Sequence, residues 1–225
     1  MNTWTLVFDL DGTLVDTAPD LAASTNHVLR RLGLSSVAEG DIRPFVGHGA
    51  LVMVERAAAA QGRALAQQEL YDLFDVFITH YTANISAHSK PYADVISVLK
   101  RYQDRGARLA VCTNKIEAHA RALLEALDMT KYFAAIIGRD TLGIFKPDPG
   151  HLTGTITLAG GDRRRALMVG DSETDIRTAK AANIAVVAVD FGYSVEPVAS
   201  FNPDAVISHY RDFERAAARL MSQCA

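Results

Sequence analysis

Thr5-Leu6-Val7-Phe8-Asp9-Leu10-Asp11-Gly12-Thr13-Leu14 decides how the rest of the chain is read. A run of β-formers delivers two aspartates, two positions apart, onto a glycine. Alternate side chains of a strand leave on the same side, so Asp9 and Asp11 emerge together. Two carboxylates that close resist joint ionisation unless a proton or a cation lies between them. A hard divalent ion removes that penalty, and Mg2+ takes sites of one or two carboxylates completed by substrate phosphate. The stretch therefore predicts a strand-end aspartate pair suited to phosphoryl chemistry. D-x-D-G by itself also fits an ordinary strand-to-turn junction, so the case rests on partners elsewhere in the chain.

Outward from this strand, residues 16–89 carry helical signals only. Pro19-Asp20-Leu21-Ala22 opens a helix with Leu21, Val28, Leu29 and Leu32 at helical spacing and Gly33 as its stop. Asp41 is expected to cap a short segment through Arg43-Pro44-Phe45-Val46, and Gly47-His48-Gly49 interrupts it. Leu51 to Ala60 reads as a second helix and Gln67 to Asn84 as a third, with Leu70, Leu73, Phe74, Phe77, Ile78 and Tyr81 as its apolar stripe. From Lys90-Pro91 onward the pattern alternates. Short apolar strands at 108–113, 134–137, 166–169, 185–189 and 205–207 are separated by amphipathic helices, which means a parallel sheet covered on both faces. The expected fold is α/β: a Rossmann-like parallel-sheet core of residues 1–15 and 90–225, with a small α-helical cap domain of residues 16–89 inserted after the first strand.

Composition narrows the function classes. The 225 residues are 49% hydrophobic and 22% charged, as in ordinary globular proteins. A net charge of −3, with no long Lys/Arg run, gives no footprint for nucleic acid. No uncharged apolar run reaches the ~18 residues of a transmembrane span, and Asp9 and Asp11 interrupt the only candidate for a cleavable leader. Cys112 and Cys224 stand far apart, which argues against a disulfide framework or a thiolate metal site and fits a reducing, cytoplasmic setting.

In sheets of this kind ligands bind at the carboxyl ends of the strands, and the polar clusters fall there. Cys112-Thr113-Asn114-Lys115 offers a hydroxyl, an amide and helix N-terminal N–H groups to an anion, though Thr and Asn also serve as plain helix caps. Phe145-Lys146-Pro147-Asp148-Pro149 pins a lysine between stiff neighbours. Leu167-Met168-Val169-Gly170-Asp171 ends another apolar strand in aspartate, with Asp175 one helical turn further on.

Jointly and in this order, D-x-D-G-T, a strand-end Thr, Lys-Pro and G-D-x-x-x-D resemble the haloacid dehalogenase superfamily over essentially the whole chain. Within it, Asp16-Thr17-Ala18-Pro19-Asp20-Leu21, the Arg43 to Gly49 stretch, Val111 to Lys115, Leu123 to Leu127 and Phe191-Gly192-Tyr193 look most like the bacterial phosphoglycolate phosphatases. The resemblance implies Asp9 as the nucleophile of an aspartyl-phosphate mechanism and Asp11 as the general acid and base. It implies Thr113, Asn114 and Lys146 as phosphate-binding residues. It also implies Mg2+ held by Asp9, the backbone carbonyl of Asp11 and Asp171, with Asp175 behind them. Dehalogenation is disfavoured because metal-free dehalogenases lack the second aspartate. The β-phosphoglucomutase-like alternative is disfavoured because Leu21 stands where those members carry histidine. In the cap, Arg43, Gly47, His48 and Gly49 are the candidate contacts for a substrate carboxylate. Two departures from the pattern, Ala93-Asp94 for Pro-Gly and Asn183 for a helix-ending glycine, lie away from the chemistry.

The expected partner is a small phosphorylated metabolite, with neither nucleic acid nor membrane, and the chain is a monomer or a homodimer. The leading substrate is 2-phosphoglycolate. A sugar or nucleotide phosphate is the second enzyme reading, and a non-catalytic phosphate sensor is the reading from another class.

Overall fold

The computed structural model describes residues 3–47 and 49–223. The chain divides into two compact units, residues 1–16 with 91–225, and residues 17–90. Two-residue strands, β2 (Val15–Asp16) and β3 (Lys90–Pro91), mark the places where it passes from one unit to the other.

The larger unit is built on a parallel six-stranded sheet of β1 (Thr5–Phe8), β4 (Arg108–Cys112), β5 (Ala135–Ile137), β6 (Ala166–Gly170), β7 (Ala185–Val189) and β8 (Ala205–Ile207). Their spatial order is β5-β4-β1-β6-β7-β8. All four residues of β1 are buried, as a strand covered on both faces requires. Side chains alternate between the two layers. Val7 joins Leu152 and Ile156 of α7 (Pro149–Leu158) and Ile176 and Ala179 of α8 (Glu173–Ala181) in one buried cluster. Phe8 turns the other way, toward Phe213 of α9 (Phe213–Gln223), which also meets Tyr102 of α5 (Val95–Asp104) edge-on.

The register fixes the site. Phe8 pairs with Val111 of β4 on one side and with Val169 of β6 on the other. Asp9 continues the ladder, donating its N–H to the Val169 carbonyl at 2.9 Å, and Thr113 donates to the Ile137 carbonyl at 3.0 Å. Asp9, Thr113 and Asp171 therefore leave the carboxyl ends of three adjacent strands. After β1 the chain lays strands on one side and then crosses to the other, and the crevice made by such a reversal is where ligands bind in open α/β sheets.

The unit of residues 17–90 is helical. Its main helices are α1 (Ala18–Arg31), α3 (Ala50–Ala59) and α4 (Gln67–Ala83), each packed on the other two around Leu21, Val28, Leu29, Met53, Val54 and Phe77. Pro19 sits in the first turn of α1, where its missing N–H costs nothing. The buried Asp20 carboxylate accepts from the Ser89 N–H at 2.8 Å, the Ser89 hydroxyl at 2.6 Å and the His88 N–H at 3.0 Å. It thereby ties the start of the unit to its end.

Two expectations change here. Asp41 does not cap the segment after it: it lies inside α2 (Glu39–Ile42), and its carboxylate accepts from the Ala38 N–H at 3.1 Å, the donor that opens that helix. A 3-10 turn over Arg43–Phe45 follows directly. The stripe on α4 is also narrower than its spacing implied. Leu73, Phe77 and Tyr81 are buried, whereas Leu70, Phe74 and Ile78 are half-exposed, because a helix held by two neighbours buries one ridge of side chains.

Candidate active site

The turn after β1 is shaped by what it must pass. Gly12 adopts φ +81°, and a Cβ there would fall 2.4 Å from Asp171 Oδ2. The adjoining Thr13 hydroxyl donates to Asp171 Oδ1 at 2.9 Å, and the Tyr193 N–H donates to Oδ2 at 2.8 Å. Both oxygens of Asp171 are thus fixed in direction. The Tyr193 hydroxyl in turn donates to Asp16 Oδ1 at 2.7 Å.

At the end of β6, Gly170 lets α8 approach: a Cβ would lie 2.3 Å from that of Asp175. Ser172 caps α8, and Asp175 closes a capping box with it, accepting from the Ser172 hydroxyl at 2.6 Å and its N–H at 3.2 Å. The other Asp175 oxygen accepts from Lys146 Nζ at 2.6 Å. Capping and charge pairing use opposite oxygens of one carboxylate, so a single residue both starts the helix and anchors the lysine.

Lys146 is 2% exposed and its Nζ also lies 2.9 Å from Asp9 Oδ1. That contact is an ion pair off the hydrogen-bond direction, since Asp9 Oδ1 is buried without an aligned donor. Burial alone would lower the lysine pKa, but Asp175 and Asp9 override it and hold the ammonium charged. Asn114 fixes the lysine's main chain, donating from Nδ2 to the Lys146 carbonyl and accepting the Lys146 N–H on Oδ1, both at 3.0 Å. Both ends of the Asn114 amide thus hold the Lys146 loop, with one Nδ2 hydrogen used in that contact. Thr113, 1% exposed, accepts the Lys115 N–H on its hydroxyl at 3.1 Å.

Three carboxylates converge. Ligand oxygens of Asp9, Asp171 and Asp175 all lie within 4.8 Å of one another. Burial pushes Asp9 up to about 6 against the pull of Lys146, and burial followed by repulsion from Asp175 and Asp9 raises Asp171 well above the usual carboxylate range. Three acids over one ammonium, with a buried Asp9 oxygen that lacks an aligned donor, form an all-oxygen donor set with surplus negative charge. That set fits a hard divalent cation.

The Asp11 side chain stands apart from this cluster. Lys115 Nζ reaches both of its oxygens, at 3.0 and 3.1 Å, with the two side chains 8% and 13% exposed. Sequence reasoning passed over Lys115, Thr13 and Tyr193. Lys115 was quoted in the strand-end cluster without a role, and the only signal for it was its place two residues beyond Thr113.

The remaining candidates belong to the helical unit. Arg43 opens the 3-10 turn and pairs with Glu39 at 2.9 Å. Gly47 and Gly49 hold φ +90° and +105°, Gly49 as the N-cap of α3, and His48 lies outside the described residues.

Residues 6–189 match the haloacid dehalogenase-like hydrolase family. Among curated proteins, the chain is 58% identical to a phosphoglycolate phosphatase of Mesorhizobium japonicum over 91% of this chain and 90% of that one. It is 46% identical to a phosphoglycolate phosphatase of Agrobacterium fabrum over 91% and 88%. Among solved structures, a predicted phosphoglycolate phosphatase from Haemophilus somnus superposes with a TM-score of 0.88 at 31% identity, covering 96% of this chain and 98% of that one.

Proposed function

The chain belongs to the haloacid dehalogenase-like hydrolases, and on that footing we propose that it hydrolyses 2-phosphoglycolate to glycolate and inorganic phosphate. The observation that carries this reading is the strand-end assembly of Asp9, Lys146, Asp171 and Asp175 with Asp11 beside it. The substrate follows from the curated relatives, which match over nine-tenths of both chains.

Asp9 attacks phosphorus, the bond to the leaving oxygen breaks, and an aspartyl-phosphate forms. Asp11 gives its proton to that oxygen and then takes one from the water that hydrolyses the acyl phosphate. Lys146 and the Thr113 hydroxyl bind the oxygens of the transferring group, where charge is greatest. Asp9, the Asp11 carbonyl and Asp171 would hold Mg2+, with Asp175 behind them, and the bound ion neutralises phosphoryl charge as a Lewis acid. The demand is severe: phosphate-monoester hydrolysis can need accelerations approaching ~10^21, so covalent catalysis and electrostatics must act together. The helical unit of residues 17–90 is assigned the role of a cap that excludes water during turnover. The proposed cytoplasmic setting rests on the two widely separated cysteines; separately, no helix among the described residues is long and apolar enough to cross a membrane.

Phosphate release across a panel of phosphate esters, with and without Mg2+, tests the reading. The expected result is metal-dependent release with the highest kcat/KM on 2-phosphoglycolate. Absence of metal-dependent release from any ester overturns the mechanism, and a sugar or nucleotide phosphate at the head of the panel overturns the substrate.

A further inference from the structure

The site holds two ammonium groups in different employment. Lys146 is committed to Asp9 and Asp175 on the phosphoryl side. Lys115, at the end of β4, faces the acid on the leaving-group side and spans both Asp11 oxygens at 3.0 and 3.1 Å. This is how a cation grips a carboxylate, and it is 8% exposed, so its charge is weakly screened by solvent.

Resting on the function proposed above, we infer that Lys115 is the specificity-determining residue that binds the carboxylate of the substrate. The geometry is a chain of short steps. The leaving oxygen must come within about 2.6–3.2 Å of an Asp11 oxygen to receive its proton. In a 2-phospho acid the carboxylate is attached to the carbon that bears this oxygen, so its own oxygens lie about 3 Å from it by ordinary bond lengths. An ammonium already within 3.1 Å of Asp11 is therefore in range of the substrate carboxylate when the ester is seated for proton transfer. The ammonium that aligns the acid then also selects an ester with a negative group next to the reacting carbon. Esters without that group forgo a charge-assisted contact with a weakly screened ammonium, and the loss of such a contact is what the site uses to discriminate.

The test compares 2-phosphoglycolate with ethyl phosphate, which keeps the ester and replaces the carboxylate by a methyl group. At saturating Mg2+, the ratio of kcat/KM for phosphoglycolate over ethyl phosphate is measured for the wild type, Lys115→Met, Lys115→Arg and Arg43→Met. The ratio is expected to fall by on the order of tenfold to a hundredfold in Lys115→Met, mainly through KM for phosphoglycolate, and to recover in part in Lys115→Arg. Competitive inhibition of ethyl phosphate hydrolysis by glycolate should weaken in the same order. A Lys115→Met enzyme in which both substrates slow equally overturns the inference, because Lys115 then acts on Asp11 alone. So does a ratio that collapses in Arg43→Met and survives in Lys115→Met. Should Lys115→Met fail to fold, Lys115→Gln, which removes the charge and keeps a polar side chain, decides through the glycolate inhibition constant: a constant equal to that of the wild type, with the ratio unchanged, overturns the inference. A wild type that does not prefer phosphoglycolate to ethyl phosphate overturns the function proposal itself, and is told apart by needing no variant.

Discussion

The two sides of the site carry the same kinds of charge in opposite proportions. On the inner side Asp9, Asp171 and Asp175 converge, and one ammonium, Lys146, pairs with Asp9 and Asp175. On the outer side Asp11 meets Lys115 at near-equal distances to both oxygens. The inner side has surplus negative charge that burial makes costly, which is visible as the upward shifts of Asp9 and Asp171. The outer side is balanced. Surplus charge is what a metal-binding site has to store before the ion arrives, whereas a balanced pair orients an acid without attracting one. The inner side is therefore unstable by construction, and the protein should become more stable when that charge is removed and less active at the same time.

Asp9→Asn breaks this comparison most severely. Loss of the nucleophile is expected to lower turnover at least ~10^4-fold. Stability should move the other way in EDTA. Asp9 in the folded chain holds its proton up to about 6, above its ordinary 3.8. The stabilisation this gives is complete below the unfolded pKa and is lost as pH rises through the folded one, so at pH 7.5 the ionised group is a burden on the fold. The Asn variant should gain on the order of 2–3 kcal/mol in metal-free denaturant melts, and Mg2+ should erase much of the difference. An Asn variant less stable than the wild type in EDTA would show that the inner side is not strained by charge.

Lys146→Met tests the same balance from its other member. Removing the one ammonium leaves Asp9 and Asp175 buried and unpaired, a change that costs roughly 3–5 kcal/mol in such settings, and kcat should fall about 10^2–10^3-fold for want of a donor to the phosphoryl oxygens. Thermal melts with and without Mg2+ check it: the variant should recover more stability from the ion than the wild type does.

How far the chain announced this arrangement depends on what kind of information each part needs. The fold was legible because short, fully apolar strands and amphipathic helices alternate from residue 90 onward. The inner side was legible because each member ends or follows such a strand. Even the two departures from the family pattern were readable: Asp94 and Asn183 adopt φ 65° and 55°, the left-handed region that Asp and Asn enter more readily than other side-chained residues. The outer pair was not legible. Asp11 and Lys115 are 104 positions apart and meet because β1 and β4 are neighbours in register. Periodicity gives the face of each strand but not which strand lies beside it. The hold of Asn114 on the Lys146 main chain was hidden for a related reason, since the two residues are 32 positions apart and meet only through the fold.

The smallest effect lies directly behind the inner side. His151 is buried on α7, with Nε2 3.1 Å from the Gly138 carbonyl and Nδ1 3.5 Å from Cys112 Sγ. A carbonyl only accepts, so Nε2 carries the proton and Nδ1 takes the weak thiol bond. Burial and the nearby Lys146 push its pKa down to about 4, against the opposing pull of the Gly138 carbonyl and Asp148. The histidine thus stays neutral and adds no second cation to the inner side. Between pH 6.5 and 4 the unfolded chain binds a proton here that the folded chain refuses, so stability falls as pH drops through that window. At pH 5 the loss is about 2 kcal/mol relative to pH 7. His151→Gln keeps an N–H for the Gly138 carbonyl and has no charge to gain. The difference in stability between wild type and His151→Gln, followed by denaturant melts at pH 7, 6 and 5, should therefore shift in favour of the variant by that amount. A difference that stays flat over this range would mean that His151 accepts its proton in the folded protein, and the inner side would then hold a second positive charge beside Lys146.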